Sequence, residues 1–266
     1  MLPDEIIRQL HILPLDRLRS HEETIEFNLR KLRETMLNIG CLVDPLLVDA
    51  RHNVVIDGNH RLSVLETLKC PNAACQIVDY ADPKIRIGSW FPVSRTLGHG
   101  SIPGLKCEKV DFETGMAEIA RMRGIFMYAK KSAGGGNAEC YLCGSPESTV
   151  RSIVEQQRKA LSSLEGKGLL YVPDDQHAEY LDAGYAVLYR KIYTKDEIIS
   201  EAVAGRQMPP KSTRHMIPDR IIRLNMPLGW LSETPEIAKK LMDSSLRKRL
   251  TEGSIRRYTE SVIVLY

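Results

Sequence analysis

The chain has 266 residues, 43% apolar and 27% charged, with 37 Lys and Arg against 34 Asp and Glu for a net charge of +3. That length holds one large or two modest domains of ordinary soluble globular balance; the charge is too mild to argue for nucleic acid, although a local basic patch stays open, and no apolar run approaches the ~20 residues of a membrane span. Met1-Leu2-Pro3-Asp4-Glu5 has neither a basic nor an apolar signal region, so a cytoplasmic protein without membrane contact is expected, and the six cysteines (41, 70, 75, 107, 140, 143) show no disulfide-framework spacing and are expected as reduced thiols.

Residues 3–10 suit a short amphipathic helix, and Leu13-Pro14-Leu15 a brief extended segment leading to Ser20-His21-Glu22-Glu23. From there Ile25, Leu29, Leu32, Met36 and Ile39 mark one apolar face of a helix of about four turns, closed near Gly40. Glu22 is expected at or just before its first turn, where a carboxylate complements the helix dipole. Glu23 beside it reads as solvated, and Thr35 as core or surface filler. Pro45–Asp49 and Asn53–Ile56 predict a hairpin across Ala50-Arg51-His52. Asp57-Gly58 breaks the second strand with a tight turn, because Gly58 can take φ > 0 without steric cost. Leu62, Leu65 and Leu68 then recur at helical spacing, which puts Asn59, His60 and Arg61 where a strand hands over to a helix N-terminus. Backbone N–H groups and the positive dipole end converge there, so the corner suits an anion, with Arg61 and His60 as further donors. Asp57 could hold a magnesium ion or orient His60. A strand–turn–helix with incidental charges fits the same spacing.

This helix ends near Cys70-Pro71, followed by strands at 74–78 and 85–90; Trp90 there reads as core. The breakers in Leu97–Gly104 suggest a linker or exposed loop, and the domain boundary is placed between residues 97 and 98. Beyond it, 113–123 suits a helix and 125–129 a strand. Residues 133–137 read as a hairpin turn, since they lack the Lys-Ser/Thr of a P-loop. Cys140 and Cys143 have zinc-like spacing but no second ligand pair nearby, so they read as strand cysteines. Helices at 150–164, around 180–184 and at 195–204 alternate with strands at 169–172 and 185–189. In Pro209-Pro210-Lys211-Ser212-Thr213-Arg214-His215, anion donors are dense, and an exposed basic loop is the plain alternative. A helix at 234–250 and a strand at 261–266 complete an α+β chain without internal repeats.

Asp57-Gly58-Asn59-His60-Arg61 after an apolar strand, with Asp44-Pro45-Leu46-Leu47-Val48 upstream, resembles the nucleotide loop of the ParB/sulfiredoxin-like superfamily. His21-Glu22, Ser89-Trp90-Phe91-Pro92 and the 210–215 segment follow the order seen in the free L-serine kinases, across roughly residues 10–220. The tail Ile222-Arg223-Leu224-Asn225-Met226-Pro227-Leu228 is more similar to that family's siderophore-cluster members than to its shorter archaeal ADP-dependent enzymes. The resemblance implies a ParB/sulfiredoxin-like nucleotide-binding domain at 1–97 and a second α+β domain at 98–266 that contributes a substrate clamp. It implies transfer of a phosphoryl group from ATP or ADP, with Mg2+, to the hydroxyl of L-serine. The product would be O-phospho-L-serine, feeding siderophore or amino-acid biosynthesis.

By the same resemblance Glu22 is the catalytic carboxylate, fitting because a serine hydroxyl is a poor nucleophile, with Asp57 as its catalytic companion. Gly58, Asn59, His60 and Arg61 hold the phosphates, and Thr35 could reach the nucleotide. Trp90 packs on serine. Lys211 and Arg214 hold its carboxylate and the transferring phosphate, and Ser212, Thr213 and His215 supply finer donors. The alternative is a ParB-like nucleotide-gated DNA-binding regulator. It needs a helix-turn-helix after the loop, for which residues 97–140 are too broken. A third reading is a regulatory protein that keeps the fold without catalysis. ATP versus ADP, oligomeric state, and DNA or haem binding stay open.

Overall fold

A computed structural model describes residues 3–99, 102–131, 136–164, 166 and 168–256. Most of the expected turn at 133–137 and the whole expected strand at 261–266 lie outside these residues. The chain is mixed α+β. It divides into two compact units, one built from the described residues of 1–18, 26–79 and 220–266, the other from 19–25 and 80–219. The break therefore falls after residue 79 rather than after 97. The reason is strand pairing: Trp90–Ser94 lies in the second unit's sheet, antiparallel to both Leu170–Pro173 and Ala186–Tyr189. Leu97 and Ile102, within the breaker-rich stretch 97–104, are both buried in that unit's core.

In the first unit Leu10–Pro14, Asn72–Val78, Leu46–Asp49 and Val54–Asp57 lie side by side in that order. The Leu46–Asp49 strand runs parallel to Asn72–Val78, and the outer two pairings are antiparallel. All four residues of Leu46–Asp49 are buried, which explains its unbroken apolar run. Leu62 and Leu65 of the helix Asn59–Thr67 share a core with Val48, Val55 and Met36. Ala238, Met242 and Leu246 of the C-terminal helix Pro235–Thr251 join the same core. That helix starts as its sequence demands, with Thr234 accepting from the Ile237 N–H and proline in the first turn. The helix Glu26–Ile39 turns Leu29, Leu32 and Met36 to the core and leaves Phe27, Leu37 and Ile39 exposed. It starts at Glu26, so Glu22 lies outside its first turn.

The second unit is a six-stranded antiparallel sheet in the order Leu170–Pro173, Trp90–Ser94, Ala186–Tyr189, Phe126–Lys130, Glu139–Cys143, Cys107–Val110. Alternate residues of each strand face opposite ways. Phe126, Tyr128 and Leu188 pack with Ile153, Leu161 and Ile198 from the helices Val150–Ser162 and Lys195–Val203. Met127, Ala129 and Val187 pack with Ile119 and Leu181 from Phe112–Ala120 and His177–Asp182 on the other face. Cys107 and Cys143 stand opposite each other on neighbouring strands and form a disulfide, which overturns the expectation of six reduced thiols. Register, not sequence spacing, creates that pair. Cys41, Cys70, Cys75 and Cys140 are free. Among the described residues no helix is long and apolar enough to cross a membrane.

Asn72, which is buried, ties the first unit's sheet to the segment before the C-terminal helix. Its Nδ2 donates to the carbonyls of Leu231 at 3.2 Å and Glu233 at 2.9 Å. Asn72→Ala strips both acceptors of this donor, so a loss of about 1–3 kcal/mol is expected, read as a lower midpoint in urea unfolding. An unchanged midpoint would mean that the two bonds contribute nothing net.

Candidate active site

In the first unit the strand Val54–Asp57 passes through Gly58 into the helix Asn59–Thr67, as the sequence predicts. Gly58 has φ +102°, and a Cβ there would lie 2.8 Å from Leu46 Cδ2 and 2.9 Å from Arg61 Nη2. Glycine is thus required by conformation and by space. The helix presents its first-turn N–H groups at this corner. Asn59 is buried and His60 half-buried beside them.

Arg61 does not present the open phosphate fork expected of it. Its Nη1 donates to the carbonyls of Asp44 at 3.0 Å and Pro45 at 2.9 Å, and its Nη2 to Asp57 Oδ2 at 2.5 Å. With 14% of its side chain exposed, it braces the loop from behind. Asp57 Oδ2 also receives Arg220 Nη2 at 2.5 Å. Asp57 therefore carries two guanidiniums, and Arg220, which sequence reasoning did not single out, joins the corner. Thr35 is not brought into it: its exposed hydroxyl donates to the Lys31 carbonyl one turn back on its own helix.

The second unit gathers the other expected residues around Glu22. Glu22 forms a parallel bridge with Met208; the Glu23 N–H donates to the Met208 carbonyl and the Met208 N–H to the His21 carbonyl, each at 2.9 Å. After Pro209-Pro210 the chain turns through Lys211, whose φ is +63°. The turn aims two backbone donors at the Glu22 carboxylate. Lys211 N–H reaches Oε1 at 2.7 Å and Thr213 N–H reaches Oε2 at 3.2 Å. Thr213 Oγ1 also donates to Oε2, at 2.9 Å, and lies 2.9 Å from His21 Nε2. A hydroxyl has one proton; since Thr213 gives it to Glu22, His21 Nε2 must be the donor to Thr213. Glu22 is 15% exposed at its side chain and is oriented from three sides. Glu23 is not simply solvated, since it pairs with Arg158 at 2.9 Å.

Trp90 begins the strand Trp90–Ser94, with Lys211 Nζ 5.0 Å and Arg214 Cζ 5.9 Å from its ring centre. Arg214 Nη1 is held by Asp174 at 3.3 Å and Asp175 at 2.8 Å. Burial alone would lower the guanidinium's pKa, but hydrogen bonds and charge from Asp175 and Asp174 carry it above its ordinary value. Lys211 has no carboxylate partner among the described residues. His215 Nε2 lies 2.7 Å from the Tyr80 hydroxyl, and its ring meets His21 edge-on at 5.3 Å. Ser212 departs from the expected role: it is buried, and its hydroxyl donates to the Pro209 carbonyl at 2.7 Å, closing the turn rather than facing an anion. Sequence reasoning passed over Asp174, Asp175 and Tyr80 because their partners Arg214 and His215 lie far away in the chain and give no spacing signal.

No protein-family model matches the chain. It is 28% identical over 251 residues to an ATP-dependent L-serine kinase of Staphylothermus marinus, covering 86% of this chain and 96% of that protein. It is 26% identical over 220 residues to the ADP-dependent L-serine kinase SerK of Thermococcus kodakarensis, covering 77% and 86%. Among solved structures, a free serine kinase variant in complex with AMP aligns with a TM-score of 0.69 at 19% identity, covering 84% of this chain and 93% of that one. The chain has the free serine kinase fold. A second structure, SbnI of Staphylococcus aureus with a C-terminal truncation, aligns with a TM-score of 0.67 at 20% identity, covering 93% and 99%. The resemblance read from 57–61, 89–92 and 210–215 thus extends over most of the free serine kinase chain length.

Gly58→Ala is expected to cost about 1–3 kcal/mol, from the left-handed φ and from displacing Leu46 and Arg61. Gly40→Ala is the reference, since Gly40 has φ +69° but nothing within 4 Å of its Cβ position. Equal losses for the two variants in urea unfolding would show that the close packing behind Gly58 has no energetic weight.

Proposed function

We propose that the chain is a free L-serine kinase, moving a phosphoryl group from ATP or ADP to the serine hydroxyl to give O-phospho-L-serine. The observation that carries the reading is the Glu22 carboxylate oriented by the 211–213 turn. It stands in a chain 24–28% identical to proteins named L-serine kinases over most of their length. The ParB/sulfiredoxin-like nucleotide role falls to the first unit. The phosphates are assigned to the Gly58–Arg61 corner, with first-turn N–H groups, Asn59, His60 and Arg220 as donors. Arg61 shapes the loop, and Asp57 fixes both arginines. Base contacts and any part for Thr35 are left unassigned.

Serine handling falls to the second unit. Trp90 supplies an apolar wall that excludes water from the small amino acid. Lys211 answers the negative charge of the transferring phosphate, and the Nε/Nη2 edge of Arg214 the serine carboxylate. Thr213 and His215 complete the polar surround. As the serine Oγ–P bond forms and the bond from phosphorus to the leaving nucleotide breaks, the hydroxyl proton passes to Glu22. The transition state is loose, so the rate comes mainly from placement and charge neutralisation. Magnesium enters only as an ion that accompanies nucleotide phosphates. Among the described residues no three His, Cys, Asp or Glu side chains converge, and two guanidiniums engage Asp57. The reading places the protein in the cytoplasm, where donor and serine are held, with its product open to siderophore or amino-acid biosynthesis.

The test is incubation with L-serine and either donor, with phosphoserine read by mass spectrometry. Formation with at least one donor is expected; none with either overturns the reading. Glu22→Gln should lower kcat by about 10²–10⁴-fold, the span of general base catalysis. An amide nitrogen replacing one carboxylate oxygen would face a backbone N–H or the Thr213 hydroxyl, so about 1–3 kcal/mol of stability should go as well. Rates are therefore compared where both proteins are folded. Near-normal kcat at saturating serine and donor would remove Glu22 from the chemistry even if phosphoserine is made.

A further inference from the structure

Arg190 follows the strand Ala186–Tyr189, is 1% exposed, and has no carboxylate partner among the described residues. Its burial pushes the guanidinium's pKa down. The charges of Tyr193, Tyr171 and Glu22 pull it the other way, but only through space, and a buried cation with no directly paired carboxylate contributes little to stability and often subtracts from it. Its Nη1 is buried with no hydrogen-bond partner at all. What the side chain does make is a set of contacts to backbone. Nη2 donates to the Trp90 carbonyl at 2.7 Å and, in a closer contact, to the Lys211 carbonyl. Nε donates to Ser89 Oγ at 3.1 Å, and that hydroxyl donates to the Ser212 carbonyl at 3.1 Å.

These contacts fall on particular peptide planes. The Ser212 carbonyl and the Thr213 N–H belong to one rigid trans peptide, so they point in opposite directions. One side is held by Ser89, the other reaches Glu22. The Lys211 carbonyl, held by Arg190, belongs to the preceding peptide. Its own residue's N–H is the second donor to Glu22. The same guanidinium holds the Trp90 carbonyl, and so anchors the backbone that carries the ring over which Lys211 Nζ lies.

We propose that Arg190 is a positioning residue for phosphoryl transfer, locking the 211–213 turn to the start of the Trp90 strand so that Glu22 and Lys211 stay in register. The proposal rests on the kinase reading for its consequence, but not for its geometry. Arg190→Met keeps length and removes the fork; Arg190→Lys keeps charge and reaches one carbonyl instead of bridging two. In the full chain Arg190→Met is expected to lower kcat about 10–100-fold, with the nucleotide KM moved less than about twofold. Arg190→Lys should fall between it and wild type. Ser89→Ala, which leaves the buried charge in place, should lower kcat in the same sense and serves if Arg190→Met does not fold. Hydrogen exchange supplies a readout free of activity. The Lys211 and Thr213 amides should exchange about 10-fold faster in the variants while those of Ala186–Tyr189 keep their protection. If the wild type makes no phosphoserine, the kinase reading fails and exchange alone decides the geometry. Unchanged protection at 211 and 213, kcat within about twofold of wild type, or a loss shared equally by the nucleotide KM overturns the proposal.

Discussion

The grip of two backbone N–H groups on the Glu22 carboxylate is the interaction on which the second unit's polar cluster depends. It joins residues 189 positions apart in the chain. The bridge between Glu22 and Met208 brings the segments together, and the prolines at 209 and 210 have no N–H to compete for the carboxylate. The left-handed turn at Lys211 then presents consecutive-but-one N–H groups to the two oxygens. A carboxylate held by such a concave set of amides is fixed in direction chiefly by backbone donors. That leaves Lys211, whose N–H is engaged, with its ammonium still over the Trp90 ring.

The first unit solves a different problem with the same economy of backbone contacts. Its loop must pass close to Leu46, which admits only Gly58, and the resulting corner is braced by Arg61 against two carbonyls that precede the Leu46–Asp49 strand. Asp57 then gathers two positive charges at the end of its strand. Charge at this corner is thus arranged by the fold itself, which under the kinase reading precedes nucleotide binding. Preorganisation of this kind lowers the reorganisation needed as charge shifts in a transition state.

Much of this was legible in the sequence where side-chain periodicity or turn chemistry carries the message. The apolar spacing at 62 and 65, the Asp57-Gly58 break and the helix at 195–204 all stand where expected. The missed features share a physical cause: their partners are backbone atoms or distant side chains. Arg61 binds carbonyls, which no residue pattern reports. The partners of Glu22 lie at the far end of the second unit. Cys107 and Cys143 meet through strand register. The boundary after 97 was misplaced because breakers mark turns, whereas a unit's limits follow strand pairing, and residues 220–256 return to the first unit. Arg220 could have been suspected as a further cation just after the 211–215 cluster.

Two cations share the face of Trp90, yet the fold treats them differently. Arg214 is tied by Asp174 and Asp175, so its guanidinium is a fixed planar donor whose direction is set by two carboxylates. Lys211 has a flexible stem and an ammonium lying over an aromatic face, a weak restraint beside an ion pair. Under the kinase reading the two charges suit different demands. A substrate carboxylate keeps its charge in place throughout the reaction and is best met by a fixed fork. A phosphoryl group in transfer moves its charge toward the leaving oxygen, and a mobile point charge can follow it. Under that reading the acidic pair at 174 and 175 would do more than neutralise an arginine: it would separate a static role from a moving one on a single aromatic surface.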